Sequence, residues 1–346
     1  MRALILAGGK GTRLRPLTVY TPKPIVPVVN RPFLTYQIGI LAAAGITDIT
    51  LSLSYQPDKI ESILGDGSEL GVKLSYVTEP SPMGTGGAYR FASGSVRDRT
   101  IVFNGDILTD VDIATMLEQH SKCGCAATLA LVSVPDPSAY GLIESDAENR
   151  IVGFIEKPSP EQLLTLTTKT INAGIYILEP EILDLIPENE NFSFEYNVFP
   201  AILKKRLDFR SFLLDEYYWR DIGTPASYLT AHHDFLIGKL PSLMPETIEK
   251  ADVATAAQVD KLSVLGNGCV IKPHARVVNS VLGPGVLVDE KAAIENSVIW
   301  SHTRISQGAE IKDAVIGRSC YLGRNSHVGP GVVLGDKATI PDYSKI

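Results

Sequence analysis

The chain has 346 residues, of which 45% are hydrophobic and 21% charged, and its formal net charge is −7. This length allows two domains and a large core, and the composition is ordinary for a soluble globular protein. The negative charge argues against non-specific nucleic-acid binding, which needs a basic face. The opening apolar run, 3–7, is too short for a signal peptide or a membrane span, and no later run is long enough to be a transmembrane helix. We therefore expect neither nucleic acid nor a membrane as a partner.

The chain contains four cysteines, Cys123, Cys125, Cys269 and Cys320. None forms a Cys-x-x-Cys pair, and the count gives no dense disulfide framework. Cys123-x-Cys125 has no companion ligands at zinc spacing, so a zinc site is not expected. The simplest interpretation is a reduced, cytoplasmic protein.

A glycine-rich loop follows the first predicted strand, 2–6. It carries three glycines and three cations, Gly8, Gly9, Lys10, Gly11, Arg13 and Arg15. Glycines let the backbone approach a phosphate closely and present N–H groups to its oxygens, while cations neutralise the remaining charge. The spacing is not that of a P-loop, and Leu14 stands where a dinucleotide fingerprint requires its third glycine. The loop predicts a polyphosphate site of another type.

Strands and helices alternate from residue 1 to about residue 238. After the strand at 2–6, the pattern predicts a helix at 33–44 and strands at 48–53, 72–77 and 100–103. Such alternation is typical of a mostly parallel sheet with helices on both faces. Ligands of these sheets bind beyond the carboxyl ends of the strands. The glycine loop and Asn104-Gly105-Asp106 both fall on that edge, where we expect the chemistry.

The C-terminal part is periodic. A linker is predicted at 239–261, and beyond it related motifs begin at Asn279, Asn296 and Asp313, seventeen residues apart. Aliphatic residues recur about every six positions, which predicts a three-sided parallel β-helix with one inward aliphatic residue on each side. We expect glycines at its corners, where special backbone angles are needed: Gly266, Gly283, Gly317, Gly323, Gly329 and Gly335.

The N-terminal run, together with Pro22-Lys23-Pro24, resembles the signature of the sugar-nucleotide pyrophosphorylases, which reads close to G-G-x-G-T-R-L followed by P-K-P. Many members of that family carry a C-terminal left-handed β-helix. The resemblance implies an α/β, Rossmann-like nucleotidyltransferase domain at 1–238 and a left-handed, hexapeptide-repeat β-helix at 262–346. It also implies the reaction, in which a sugar 1-phosphate attacks the α-phosphorus of a nucleoside triphosphate and pyrophosphate leaves.

The resemblance assigns roles to individual residues. Lys23 is expected to bind phosphate, Arg13 to stabilise the leaving pyrophosphate and Lys157 to hold the sugar phosphate. Asp106 in Asn104-Gly105-Asp106 and Asp221 in Trp219-Arg220-Asp221 are the expected Mg²⁺ ligands, and carboxylates completed by phosphate oxygens and water suit that ion. The full set expected to contact the nucleotide is Leu6, Ala7, Gly8, Gly9, Gly11, Thr12, Arg13, Glu79, Gly84 and Thr85.

The sugar pocket is expected to draw on three further motifs. Glu156 in Ile155-Glu156-Lys157-Pro158 resembles a carboxylate that accepts hydrogen bonds from sugar hydroxyls. Asn172 lies in Asn172-Ala173-Gly174-Ile175-Tyr176, which resembles a strand lining the pocket, and Tyr140-Gly141 resembles a loop whose backbone contacts the sugar. Asp106, Gly141, Glu156, Lys157 and Asn172 thus form the predicted sugar-phosphate site.

The choice of base is expected to depend on Glu79, which stands five residues before Gly84 where the family often has glutamine. An ionised carboxylate only accepts hydrogen bonds. Guanine offers N1–H and its 2-amino group side by side, whereas uracil would place a carbonyl lone pair against the carboxylate. This favours GTP and, with it, mannose 1-phosphate. In the alternative, Glu79 faces solvent and the base contacts only backbone. The alternative function is that of a UTP- or dTTP-dependent glucose-1-phosphate nucleotidyltransferase.

Two other classes of function are alternatives to nucleotidyl transfer alone. A non-catalytic regulatory relative would lose phosphate or metal ligands, yet Arg13, Lys23, Asp106, Lys157 and Asp221 are all present. A second, acyl-transferring site in the β-helix would need a basic histidine beside a coenzyme A groove. His274, His302 and His327 lie there, but only about five coils are predicted and no insertion loop. We expect the β-helix to mediate homo-oligomer assembly or regulation.

Overall fold

The computed structural model describes residues 1–135, 141–155, 169–245 and 250–346. The chain divides into two compact units, one formed by Met1–Gly9 and Leu34–Trp219, the other by Lys10–Phe33 and Arg220–Ile346. This division differs from the boundaries drawn along the sequence, because Lys10–Phe33 groups with the C-terminal part. In the described ranges, no helix is long and apolar enough to cross a membrane.

The helices and strands of the first 240 residues follow in chain order. They are β1 (Arg2–Leu6), β2 (Pro27–Val28), β3 (Arg31–Pro32), α1 (Leu34–Ala43), β4 (Asp48–Leu53), α2 (Pro57–Leu64), β5 (Lys73–Thr78), α3 (Gly84–Ser93), β6 (Thr100–Asn104), β7 (Ile107–Thr109), α4 (Ile113–Cys123), β8 (Ala127–Ser133), β9 (Leu142–Ser145), β10 (Ile151–Ile155), β11 (Thr170–Leu178), α5 (Phe199–Lys204), β12 (Phe209–Leu213), β13 (Trp219–Asp221) and α6 (Pro225–Leu236). Short helical turns span Thr12–Leu14, Lys23–Ile25, Ser68–Leu70, Pro180–Leu185, Phe194–Val198 and Pro241–Leu243. The predicted helix at 33–44 and the four predicted strands agree with α1, β1, β4, β5 and β6 to within one residue at each end.

The first unit is built on a nine-stranded sheet whose main path runs β10-β9-β11-β6-β1-β4-β5. Strands β6, β1, β4 and β5 are parallel. The apolar residues of β1, β4 and β6 are mostly buried, as Ala3 and Ile5 of β1 show with 0% exposure, whereas only Leu74 is buried in β5. β11 is antiparallel to β6 and to β8, and β12 pairs with β8. The predicted mostly parallel α/β sheet is confirmed.

The β-helix consists of three parallel sheets with six, five and five strands. Their strands are β14 (Asp252–Val253), β15 (Gln258–Val259), β16 (Val264–Leu265), β17 (Val270–Ile271), β18 (Arg276–Val278), β19 (Val281–Leu282), β20 (Leu287–Val288), β21 (Ala293–Glu295), β22 (Val298–Ile299), β23 (Arg304–Ile305), β24 (Glu310–Lys312), β25 (Val315–Ile316), β26 (Tyr321–Leu322), β27 (His327–Val328), β28 (Val333–Leu334) and β29 (Thr339–Ile340). Residues one coil apart are in register, as Leu282 with Ile299 and Ile299 with Ile316. The three-sided stack with inward aliphatic columns is therefore as predicted.

The β-helix begins earlier than its predicted start at residue 262. Strands β14 and β15 lie inside the predicted linker 239–261 and pair with the next coil. Val253 is 41% exposed, because the first coil is covered on one side only. A half-covered coil needs fewer apolar residues, so its period was too weak to be recognised in the sequence.

The explanation given above for the corner glycines is wrong. The six named glycines do not have a positive φ, which occurs instead at Gly268, Gly285 and neighbouring turn positions. At Gly283 the requirement is space, since a Cβ there would lie 2.6 Å from the backbone nitrogen of Ser301 in the next coil. Gly266, Gly317 and Gly323 are equally close to the backbone of the next coil, so glycine at these corners allows the coils to approach each other.

The expectation of reduced cysteines is wrong for two of the four. Cys123 and Cys125 form a disulfide at the end of α4. Cys269 and Cys320 are buried free thiols in the β-helix. A bond between cysteines only two residues apart matches neither the Cys-x-x-Cys spacing nor a disulfide framework, so these patterns do not predict it.

We predict that Gly283→Ala destabilises the β-helix by about 1–3 kcal/mol, because the new methyl group meets backbone that cannot rotate away. Gly39→Ala is the matched control. Gly39 is exposed within α1 and a Cβ there meets nothing within 4 Å, so the same change stabilises by up to about 1 kcal/mol. Denaturant unfolding of both variants measures these changes, and equal stability of Gly283→Ala and the unchanged protein would contradict the steric argument.

His232 gives the second unit a pH-dependent stability. Burial lowers the pKa of this fully buried imidazole to about 4, while its Nδ1 lies 2.9 Å from the Tyr228 carbonyl oxygen. In the unfolded chain a histidine titrates near pH 6.5. Between these two values only the unfolded state takes up the proton, so stability is lost as the pH falls from 6.5 towards 4.

We expect the free energy of unfolding to fall by about 2–3 kcal/mol more between pH 7 and pH 4.5 in the unchanged protein than in His232→Gln, which has no group to titrate there. Denaturant unfolding at the two pH values measures the difference. Parallel losses in the two proteins would show that His232 does not remain neutral when folded.

Candidate active site

The glycine loop in the first unit lies at the carboxyl edge of the sheet. Ala7 N donates to Ser52 O of β4 at 2.9 Å, and Gly105 N donates to Leu6 O of β1 at 2.8 Å. A Cβ at Gly105 would lie 3.0 Å from Ala7 Cα, so only glycine allows the turn after β6 to approach the loop this closely. The two loops are therefore neighbours, as the parallel topology predicts.

Glu79 follows β5 and is held beside Gly8. Its Oε1 accepts from Ser52 Oγ at 3.0 Å, and its Oε2 accepts from Met83 N at 3.4 Å. A Cβ at Gly8 would lie 2.9 Å from Glu79 Oε1, and Ser54 Oγ donates to Gly8 O. The half-buried carboxylate is thus fixed against the glycine loop instead of extending into solvent.

Ser52 and Ser54 were not identified by the sequence analysis. They occupy every second position at the end of β4, in Leu51-Ser52-Leu53-Ser54. Ser52 is 0% exposed and Oγ donates to Glu79. A pair of serines at the carboxyl end of a parallel strand, the edge where ligands bind, was the available signal.

Gly84 and Thr85 begin helix α3 and contact the segment around Phe192 and Phe194. Gly84 has a φ of 69°, and a Cβ there would lie 2.7 Å from Phe192 O. Thr85 Oγ1 accepts from Phe194 N at 2.9 Å and donates to Glu195 Oε2 at 3.2 Å. The Thr85 hydroxyl therefore connects the start of α3 to Glu195, and its contact with a nucleotide stays a prediction.

A polar cluster surrounds Asn172 on β11. Its Nδ2 donates to Tyr176 Oη at 2.8 Å and to Glu195 Oε1 at 3.4 Å, while its Oδ1 accepts from Gly174 N at 2.8 Å. Asn104 Nδ2 also lies 3.4 Å from Tyr176 Oη. Burial raises the pKa of Tyr176 well above its usual value of 10, so the phenol is neutral at physiological pH. The cluster offers fixed acceptors and donors suited to hydroxyl groups.

Glu195 is the main residue that the sequence analysis missed. It lies in the helical turn Phe194–Val198, and its Oε2 accepts from Ser193 Oγ at 2.7 Å. Ser193 caps this turn, so the Ser-x-Glu pattern resembles an ordinary helix start. Nothing in the linear sequence connects it with Asn172, because β11 and this turn meet only in the folded unit.

Asp106 occupies the tight turn between β6 and β7 and is half-buried. Gln37 Nε2 holds this turn by donating to Asn104 O at 2.9 Å and to Ile107 O at 2.8 Å. The buried glutamine reaches from α1, so a helix on one face of the sheet supports the turn that carries the carboxylate.

The second unit brings together Arg13, Lys23 and Asp221. Lys23 Nζ lies 3.7 Å from Asp221 Oδ1, and Arg13 Nη2 lies 3.4 Å from Oδ2. Gly223 N donates to Asp221 Oδ1 at 2.7 Å. The two cations differ in exposure, since the Lys23 side chain is 9% exposed and that of Arg13 64%. Three residues predicted to act on phosphates or metal thus form one charged cluster.

The backbone of the loop supports this cluster. Gly11 has a φ of 62° and precedes the short helical turn Thr12–Leu14, which carries Arg13. Thr18 Oγ1 donates to Gly11 O at 2.7 Å. Gly9 and Thr12 are exposed, which leaves them accessible to a ligand.

Part of the predicted sugar site lies outside the residues that the structure describes. Glu156, Lys157 and Tyr140 lie outside the described residues. Gly141 is half-buried immediately before β9. Roles in sugar binding for these residues stay predictions.

The described residues hold no group of three or more histidine, cysteine or acidic side chains that could bind a metal ion on their own. A metal here would have to use one or two carboxylates and complete its shell with phosphate oxygens and water, which Mg²⁺ prefers. The half-buried Asp106 and Asp221, on sharp turns, are carboxylates of this kind.

The three histidines of the β-helix lie on its surface and do not form a site for acid–base chemistry. His274 and His302 lie on exposed turns with positive φ. His327 Nδ1 lies 3.1 Å from Glu310 Oε2 on the outer face of the β-helix. These positions agree with solvated surface histidines.

Comparison with known families divides the chain into two matched parts. The family profile described as nucleotidyl transferase matches residues 2–237. A second profile, described as the EIF2B subunit epsilon LbH domain, matches residues 247–346. LbH denotes a left-handed β-helix, in agreement with the three-sheet stack and with its start before residue 262.

The similarity to curated relatives covers more residues than the nucleotidyl transferase profile does. The chain is 41% identical over 284 residues to a mannose-1-phosphate guanylyltransferase of Mycobacterium tuberculosis, covering 80% of this chain and 77% of that protein. It is 35% identical over 279 residues to a probable mannose-1-phosphate guanylyltransferase 1 of Oryza sativa subsp. japonica, covering 79% and 75%. It is 36% identical over 278 residues to a mannose-1-phosphate guanyltransferase of Pichia angusta, covering 78% and 74%.

Proposed function

The chain belongs to the nucleotidyl transferase family, and we propose on that premise that it transfers the guanylyl group of GTP to mannose 1-phosphate. The products are GDP-mannose and pyrophosphate. The names of the relatives support the substrate pair. Among the contacts of the site, the fixed Glu79 carboxylate carries the choice of guanine.

The reaction needs charge neutralisation more than covalent chemistry from the protein. A phosphate oxygen of the sugar 1-phosphate attacks the α-phosphorus, and the bond from that phosphorus to the bridging oxygen of pyrophosphate breaks. Since both reactants are anions, positioned cations lower the barrier. Lys23 is the preformed cation, held in place by burial, and Arg13 is the exposed one that can follow the leaving pyrophosphate.

Asp106 and Asp221 are the proposed Mg²⁺ ligands. When bound, Mg²⁺ neutralises phosphate charge and polarises the phosphoryl oxygens. Asp221 pairs with Lys23 and Arg13, so the carboxylate also keeps these cations in place for a polyphosphate. The proposed phosphate site therefore contains both positive and negative side chains of the protein.

Glu79 is proposed to accept hydrogen bonds from guanine N1–H and the 2-amino group. Each carboxylate oxygen can accept more than one hydrogen bond, so the contacts from Ser52 and Met83 orient the group and leave capacity for a base. Gly8 lacks a side chain, which allows Glu79 Oε1 to lie against the glycine loop.

Asn172 and Glu195 are proposed to contact the hydroxyls of mannose. Glu195 accepts, and Asn172 is oriented by its contacts with Gly174 and Tyr176. Gly141, Glu156 and Lys157 complete the proposed sugar-phosphate site. Their roles rest on the motif resemblance.

The proposal extends to the setting of the enzyme. GTP and sugar phosphates are highly charged and do not cross membranes unaided, which favours the cytoplasm where both are made. Assembly of the chain into a homo-oligomer, with the β-helix as contact surface, remains part of the proposal.

We predict that Glu79→Gln lowers the ratio of kcat/KM for GTP to that for UTP by about tenfold or more, because the amide replaces a charged acceptor with a donor and an acceptor. Ser52→Ala, which leaves the carboxylate but removes its orienting donor, should change the ratio in the same direction by a smaller factor. Pyrophosphate release with GTP, UTP and dTTP, crossed with mannose and glucose 1-phosphates, measures both. Glu69→Gln, the same change on an exposed helical turn, is the matched control. An unaltered nucleotide profile in Glu79→Gln would remove Glu79 from base selection.

We predict that Asp106→Asn lowers turnover about a hundredfold or more and raises the Mg²⁺ concentration required for half-maximal activity, because a neutral amide binds Mg²⁺ weakly. Titration of pyrophosphate release with Mg²⁺ measures both effects. Asp98→Asn, the same change at an exposed position, serves as control. Activity with an unchanged Mg²⁺ dependence would exclude Asp106 as a metal ligand.

A further inference from the structure

Trp300 interrupts a column of glycines in the β-helix. The residues that follow the paired positions Leu265, Leu282, Ile299, Ile316 and Leu334 are Gly266, Gly283, Trp300, Gly317 and Gly335. Four are glycine, and a Cβ at Gly283 would meet the backbone of the next coil at 2.6 Å. Trp300 is nevertheless only 1% exposed. The largest side chain of all therefore stands where the repeat otherwise has none.

The indole is tied to helix α6 by a hydrogen bond between buried groups. Trp300 Nε1 donates to Tyr228 Oη at 2.9 Å, and Tyr228 is 0% exposed. Tyr228 Oη in turn donates to Pro27 O. A phenol has one proton, so this direction leaves its lone pair for the indole N–H. Trp300, Tyr228 and Pro27 form a relay in which each buried polar group has its partner.

Two members of the relay, Tyr228 and Pro27, lie on the segments that carry the charged cluster. Tyr228 lies in the first turn of α6, whose cap Thr224 follows Asp221 closely, and Ser227 Oγ donates to Asp221 O. Pro27 lies four residues after Lys23, on the same short segment. The β-helix thus contacts, through one side chain, the helix that follows Asp221 and the segment that carries Lys23.

Two further contacts hold the same N-terminal segment on the β-helix. Asn30 Nδ2 donates to Leu282 O at 3.0 Å. Pro16 packs over Gly335, where a Cβ would lie 3.1 Å from Pro16 Cβ. Arg318 lies over the Trp300 ring with its guanidinium carbon 5.4 Å from the ring centroid.

We propose that Trp300 is a positioning residue for nucleotidyl transfer, acting through Tyr228 to fix Lys23 and Asp221 for the phosphates of the nucleotide. This inference rests on the proposed function. It gives the β-helix a part in catalysis within a single chain, separate from assembly or regulation. Loosening the relay should weaken nucleotide binding, since the cations of the cluster act there. It should leave the binding of the sugar phosphate unchanged, because the residues proposed for that site, Asp106, Gly141, Glu156, Lys157 and Asn172, are not members of the relay.

Tyr228→Phe and Trp300→Phe in the full chain test the proposal. Each removes one hydrogen-bonding group and keeps an aromatic ring. We expect the KM for GTP to rise about fivefold in Trp300→Phe, which loses one net hydrogen bond, and by more in Tyr228→Phe, which loses the bonds to both Trp300 and Pro27. The KM for mannose 1-phosphate should change less than twofold in either variant. The double variant should resemble Tyr228→Phe, because that change alone already removes both hydrogen bonds of the relay. Tyr321→Phe, on the exposed outer face of the β-helix, is the matched control and should leave both KM values unchanged.

The outcomes separate the two proposals. An unchanged protein without guanylyltransferase activity would overturn the proposed function. An active protein whose folded relay variants keep both KM values, or in which both values rise together, would overturn the positioning role alone. If Tyr228→Phe does not fold, Trp300→Phe decides, since it leaves the hydrogen bond from Tyr228 to Pro27 in place.

Discussion

A buried ammonium group is the constraint on which the second unit depends. Lys23 is 7% exposed, and a cation in that position is stable only beside an anion, which Asp221 supplies. Asp221 must therefore be held, and it is held by the turn through Gly223 and by helix α6 behind it. The β-helix contacts both segments through the Trp300 relay. A preformed cation thus requires a large packed scaffold, because a flexible lysine on the surface would not be held in one position.

In the first unit an anion, the Glu79 carboxylate, is held in place in a similar way. Glu79 accepts from Ser52 and Met83 beside Gly8, whose missing side chain allows this close approach. A fixed acceptor discriminates between bases by rejecting those that present a lone pair to it. In the proposed function, base specificity depends on the preorganisation of this carboxylate, and phosphate binding depends on the preorganisation of the Lys23 ammonium group.

Local patterns predicted the elements of the fold with good accuracy. The apolar runs predicted β1, β4, β5 and β6 nearly to the residue, and for β1, β4 and β6 the reason is burial along almost the whole strand. The seventeen-residue repeat predicted the three-sided β-helix, and its first coil escaped notice because its aliphatic residues are half-covered. The corner glycines were predicted correctly but explained by special backbone angles. In a sequence, a glycine needed for space between coils looks the same as a glycine needed for a positive φ.

The sequence by itself determined the family, the reaction class and the residues that bear charge, because these depend on motifs contiguous along the chain. Only the tertiary structure decided which of those residues meet. It paired Lys23 and Arg13 with Asp221, grouped residues 10–33 with the C-terminal part, and placed Ser52 and Glu195 beside predicted site residues. The physical reason is that these contacts join residues from about twenty-five to over two hundred positions apart. Neither propensity nor periodicity carries information over such separations; only packing does.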